Sequence, residues 1–162
     1  MTTGDFDPGD ARAYSDSPLP TNGSQPGPLA LRFVARLIDG IIVGLVGLLL
    51  AVLFHVTGDI LITGLFSGLL TFLYFVAFEV TAGWTPGKRL FGLSVRGPAG
   101  APKPSLQQSA IRNAFTLLAI IPYLGGLLGL IAYIAIAITI HTSPTKQGKH
   151  DELAGGTQVV RD

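Results

Sequence analysis

Asp39 stands just inside the edge of the apolar stretch RFVARLIDGIIVGLVGLLLAVLFHV, residues 32 to 56, with Arg36 and Arg32 three and seven residues before it. At those spacings the three side chains fall on roughly one side of a helix. A carboxylate at such an edge can exchange a proton, and a neighbouring guanidinium offsets its desolvation through charge-assisted hydrogen bonds. Arg36, one turn back, is a local partner. Arg112, at the start of a later apolar run, is a tertiary one, and Asn113 beside it can bridge. Glu79 ends another apolar run. The sequence thus offers either a specific cluster of Arg36, Asp39, Glu79 and Arg112 drawn from three elements, or separate helix-end charges. In the second case Asp39 is favoured near a helix N-terminus by the macrodipole.

Other chemistries find little support. There is no cysteine, and His55, His141 and His150 are too scattered for a zinc pattern, so neither a metal nor a cofactor is implied. GWTPGKRLFG fails as a phosphate loop: three residues rather than four separate Gly83 from Gly87, Arg89 replaces the hydroxyl residue after Lys88, and an apolar run precedes it. No nucleophile triad or paired carboxylate has supporting context, so no enzyme is expected, and a net charge of +1 gives no reason to expect nucleic acid.

The elements that must position these residues are apolar helices. Only 13% of the 162 residues are charged, about half the share usual in a soluble domain. Between residues 40 and 80 the only charges are Asp59 and Glu79, and from 114 to 140 there are none. Such runs match the roughly 20 residues needed to cross a bilayer. The expected fold is all-α, a polytopic transmembrane bundle with segments near 36–56, 60–80 and 114–140 in a domain spanning 30–160. The third run, 27 residues with IPYLGG near its middle, is either one long kinked span or a pair interrupted near 122–126. Residues 1–29 hold five of the eleven prolines and four aspartates, the composition of a disordered tail. Met1 is not followed by a basic and then an apolar stretch, so no cleaved signal is expected.

Small residues recur on helix faces: Gly40, Gly44, Gly47 and Ala51; Gly64, Gly68 and Thr71; Gly125, Gly129 and Ala132. In lipid such stripes let backbones approach closely, so they predict helix packing, either within the chain or with another copy or a membrane-protein partner. Arg12, Arg32 and Arg36 precede the first run, and Lys88, Arg89, Arg96, Lys103 and Arg112 lie in the connector, whereas the first turn has no basic residue. The positive-inside rule therefore puts the N-terminus and connector in the cytoplasm. Lys146, Lys149 and Arg161 draw the C-terminal tail to the same side, but a single third span would send it outside.

Three blocks in order, RFVARLIDGII, TPGKRLFGLSVRGPAG and KQGKHDELAGGTQVV, resemble the RDD family of small bacterial membrane proteins. The resemblance covers about residues 30 to 160. Its motif positions are Thr85, Pro86, Gly87, Lys88, Gly92, His150, Asp151, Gly156 and Thr157. It implies an inner-membrane protein of unassigned molecular role, with transport suggested for the family and cation/proton exchange for some members. The family's two acids would be Asp39 and Asp151, and its arginine Arg36 or Arg112. If these act together they share a side, which favours the interrupted third run. The expected function is a non-enzymatic scaffold or accessory subunit in the bilayer. The alternative is an oligomeric transporter of a small ion or solute that uses Asp39 with an arginine partner.

Overall fold

The computed structural model describes residues 25–56 and 60–161. The expected disordered tail falls mostly on residues outside this description, as does the first turn at 57–59. Strand β1 (Gln25–Pro26) leads into helix α1 (Leu29–Leu53), which begins just after Pro28. Helix α2 spans Ile60–Thr81. At about 1.5 Å per residue these helices are about 37 and 33 Å long.

The connector folds into short pieces with local punctuation. Helix α3 (Pro86–Leu90) has Pro86 at its first turn, and its N-cap Thr85 accepts from the Lys88 backbone N–H at 3.4 Å. Strand β2 (Leu93–Arg96) follows. Helix α4 (Leu106–Asn113) opens on a reciprocal capping box: Gln108 N–H donates to Ser105 Oγ at 3.3 Å, and Ser105 N–H to Gln108 Oε1 at 2.8 Å.

The third apolar run is an interrupted pair. Ala114–Ile120 form a 3₁₀ segment, Ile121 is extended before Pro122, and helix α5 (Gly125–Thr142) starts anew. The 3₁₀ segment lies against α2 on its glycine face. A Cβ at Gly68 would stand 2.5 Å from Ile120 Cγ1, and one at Gly64 would stand 3.4 Å from the Ala119 carbonyl oxygen. Gly125 turns so tightly on this segment that a Cβ there would come within 2.7 Å of the Leu118 and Ala119 carbonyl oxygens. The run thus descends beside α2 to the level of Gly64, and α5 returns.

Helix α6 (Lys149–Leu153) and strand β3 (Gln158–Arg161) complete the chain. β3 is central in a three-stranded antiparallel sheet, with Gln25 and Leu93 both opposite Arg161, and Pro26 and Ser94 both opposite Val160. The all-α expectation omitted this sheet, although RLFGLSV, residues 89–95, alternates enough to lie extended and β2 overlaps it. It joins the N-terminal segment, the connector and the tail into one cap over Ala35, Leu93, Val95 and Val159. Both described chain ends therefore lie at the same end of the bundle.

α1 and α5 are long and apolar enough to cross a membrane, yet only 17% and 11% of their most apolar windows are buried. Leu45, Leu49, Ile134 and Ile138 are all exposed. An exposed apolar surface of this kind marks contact with lipid or with another protein.

Candidate functional site

At the capped end, polar side chains from five segments are buried together. Glu79, on the last turn of α2, is fully buried. Its Oε1 accepts from Lys88 Nζ at 2.6 Å, and its Oε2 accepts from Ser109 Oγ and Asn113 Nδ2, each at 2.9 Å. Arg112 Nε stands 3.7 Å from the same Oε2. Lys88, Ser109 and Asn113 thus reach one carboxylate from α3 and α4, because α4 presents residues 109, 112 and 113 on one side.

Arg112 then links Glu79 to the tail. Its Nη2 pairs with Asp151 Oδ1 at 3.0 Å. Asp151, on α6, also accepts from Thr157 Oγ1 at 3.0 Å and from the Gly148 N–H at 3.4 Å. Asp151 and Thr157 are fully buried. Burial works against both charges. The Arg112 cation, foremost, holds the Asp151 carboxyl below its ordinary range, and Asp151 and Glu79 together raise Arg112. The pairing leaves Arg112 Nη1 without a hydrogen-bond partner, and Nε is too far from Glu79 to make one. Buried donors left so are uncommon in folded proteins.

Asp39 departs from the sequence expectation. It meets no arginine, and among the described residues it has no ion pair. Its donors are neutral: Tyr74 Oη at 2.7 Å, Thr85 Oγ1 at 2.5 Å and the Gly87 N–H at 2.8 Å. Gly87 must be glycine here, because a Cβ would collide with the Ala35 carbonyl and lie 2.9 Å from the Asp39 carboxylate. TPGK therefore has a physical reading residue by residue. Thr85 caps α3 and binds Asp39, Pro86 starts the helix, Gly87 permits contact with α1, and Lys88 reaches Glu79.

The arginines of α1 differ in role. Arg36 donates to Asn113 Oδ1 at 3.2 Å, so Asn113 bridges Arg36 to Glu79 rather than Arg112 to Asp39, and the Arg36 guanidinium lies 3.7 Å above the Phe75 ring. Arg32 donates to the carbonyls of Gly27, Lys146 and Val159 at 2.8 to 2.9 Å, tying the first helix to the cap. His150 is nearly enclosed. Burial pushes its imidazole down to about 4 against the pull of Asp151, so it is neutral near pH 7. The Lys88 ammonium is pushed down to about 8 by burial, which outweighs Glu79, with Arg112 and Arg36 adding repulsion.

Of the expected cluster, Glu79, Arg112 and Asp151 form one chain of charges, Arg36 joins it through Asn113, and Asp39 on α1 forms a separate centre with Tyr74 of α2 and the start of α3. The sequence marks Lys88 as a connector cation and a motif position but not as a partner of Glu79, and marks neither Ser109 nor Tyr74. The spacing of Ser109, Arg112 and Asn113 along α4 carried a signal for the first of these two. Nothing near Tyr74 marks it. Gly92 and Gly156 both sit at positive φ, 62° and 91°, as turn residues of the connector and tail. Among the described residues no group of three or more His, Asp or Glu could hold a metal ion.

A helical bundle closed at one end by a small sheet and a buried charge network is the class these features define. The model of the RDD family matches residues 26–155, most of the chain, and the protein belongs to that family. The match ends before Gly156 and Thr157. Neither the curated proteins nor the solved structures contain a significant match.

Proposed function

We propose that the chain is a multi-pass inner-membrane protein with both described ends cytoplasmic, acting as a non-enzymatic scaffold or accessory subunit. One observation carries this reading: each buried acid is already held by donors from distant segments, so the polar residues fasten the bundle. A carboxylate that cycles protons needs an exchangeable partner and a wet path, whereas Asp39 is enclosed by three neutral donors. The basic residues in the first turns of α1 and in the connector support this orientation.

The docking face follows from which glycines the chain leaves open. Gly68 and Gly125 are consumed in contacts with the 3₁₀ segment, and Gly47 meets Leu70. Added Cβ atoms at Gly40, Gly44 and Gly129 would meet nothing within 4 Å, which suits approach by a second copy or another membrane protein. The test is Gly44→Leu in the full chain. It should leave thermal stability unchanged in detergent while removing the oligomer or the co-purifying membrane protein. If cross-linking gives the same assemblies as wild type, the scaffold reading has lost its interface.

The transporter reading keeps one specific observation. Lys88 is buried 2.6 Å from Glu79, and burial pushes its ammonium down to about 8, toward physiological pH. Proton flux in proteoliposomes driven by a cation gradient, and lost in Lys88→Met, would favour it. Wild-type vesicles silent with every cation tested would count against it.

A further inference from the structure

The cationic end of the site opens onto a cleft of about 430 Å³ between α1 and α5. One end of its lining carries Arg32, Arg36, Lys88, Arg112, His150 and Asp151, so four cations face one carboxylate. The rest is mostly hydrocarbon, with Leu37, Ile41, Leu130, Ala137 and Ile140 as walls and the Tyr133 hydroxyl beside Arg36. Leu37, Ile41 and Leu130 are more than half exposed, so the cleft is open along its apolar length. Its volume falls in the range of small-molecule sites, about 300–1,000 Å³.

The polar end is unfinished in a specific way. Arg112 lines the cleft, is fully buried, and has Nη1 without a hydrogen-bond partner. His150 lines it as well, and its buried Nδ1 is also unpartnered. Asp151 takes only one corner of the Arg112 guanidinium. Glu79 engages Lys88 but stands 3.7 Å from Arg112 Nε. A multi-oxygen anion is the group that answers an unpartnered nitrogen on a planar guanidinium with further cations beside it. A hydrocarbon chain is what answers the walls. Neither a free inorganic anion nor a neutral hydrocarbon satisfies both ends.

We infer that this cleft binds an anionic amphiphile, a phosphate-headed lipid whose headgroup sits against Arg112 and Arg36 and whose chain lies between α1 and α5. The inference goes beyond the scaffold reading and does not depend on it. The site is distinct from the generally basic surface of the connector, because Arg112 and Lys88 are buried.

The test is native mass spectrometry and thermal shift on the detergent-solubilised full chain. The probes are dioctanoyl phosphatidylglycerol, dioctanoyl phosphatidylcholine and inorganic phosphate. The site predicts a saturable complex with the first, at least tenfold weaker binding of the other two, and at least tenfold loss in Ala137→Trp, which fills the apolar cleft without touching a charge. Arg36→Gln should weaken binding as well. Inorganic phosphate binding as tightly as the anionic lipid would make the site one for free phosphate and overturn the inference. So would equal binding of phosphatidylcholine, or an Ala137→Trp variant that folds and binds like wild type. Because no partner protein enters this assay, its failure would leave the Gly44 interface test untouched.

Discussion

At the scale of single residues, the buried charges stabilise the fold only as a set. Replacing Arg112 by Met leaves Asp151 without its main counter-charge and Glu79 with one fewer, and breaking a buried pair from one side costs about 3–5 kcal/mol. Urea or thermal unfolding in mild detergent should show a loss of that size for Arg112→Met. A second substitution, Asp151→Leu, should cost far less in that background than alone. His150 gives a pH dependence of definite sign. Its folded pKa of about 4 lies below the unfolded 6.5, so the unfolded chain binds more protons between these values. Its contribution is therefore complete above pH 6.5 and lost as pH falls toward 4, about 3 kcal/mol at most. Asp151, also held low, adds loss in the same direction at more acid pH. Melting temperature against pH should fall through this window for wild type and more shallowly for His150→Phe. The sequence made Arg36, Glu79, Arg112 and Asn113 legible as candidate neighbours because each stands at the end of an apolar run. It misassigned Asp39 because reasoning from charge sought a cation, whereas the actual donors are a phenol, a hydroxyl and a backbone amide 35 to 48 residues away.

At the scale of elements, glycine decides which surfaces meet. The same small-residue stripe reads identically along α1 and α2, yet Gly64 and Gly68 are used inside the chain while Gly40 and Gly44 are open. No single-sequence pattern distinguishes those cases, since the difference lies in where the 3₁₀ segment falls. Gly125→Ala should destabilise the chain by about 1–3 kcal/mol, because its Cβ would push on two carbonyl oxygens that cannot yield without moving the segment. Gly129→Ala, with nothing near it, should be silent in the same unfolding assay. The interruption of the third run was legible as one of two readings, since Pro122 alone would only kink a helix. What completes the break is Tyr123 at φ 62° followed by Gly125 pressed on its own preceding segment, a geometry that sequence composition does not specify. The cap sheet was legible only at β2, where RLFGLSV alternates enough to lie extended, and not at its partners. Its strands are two to four residues long and draw stability from Arg32 and the Ala35 core rather than from their own alternation.

At the scale of the whole molecule, the charge network and the sheet make one structural statement: the start of α1, the connector and the tail belong to the same end. The Arg112–Asp151 pair, the Arg32 bonds to Lys146 and Val159, and the pairing of β3 with β1 and β2 all require it. In the proposed topology that end is cytoplasmic, and Asp39 and Asp151 share it without touching a common partner. The chain has no native cysteine, so single cysteines report sidedness cleanly. The decisive measurement is labelling of Thr145→Cys in intact cells with an impermeant thiol reagent, with Gln107→Cys in the connector and His55→Cys at the far end of α1 as references. The account predicts protection of Thr145→Cys equal to that of Gln107→Cys, and labelling only at His55→Cys. Labelling of Thr145→Cys at the level of His55→Cys would place Asp151 across the membrane from Arg112 and contradict the shared site.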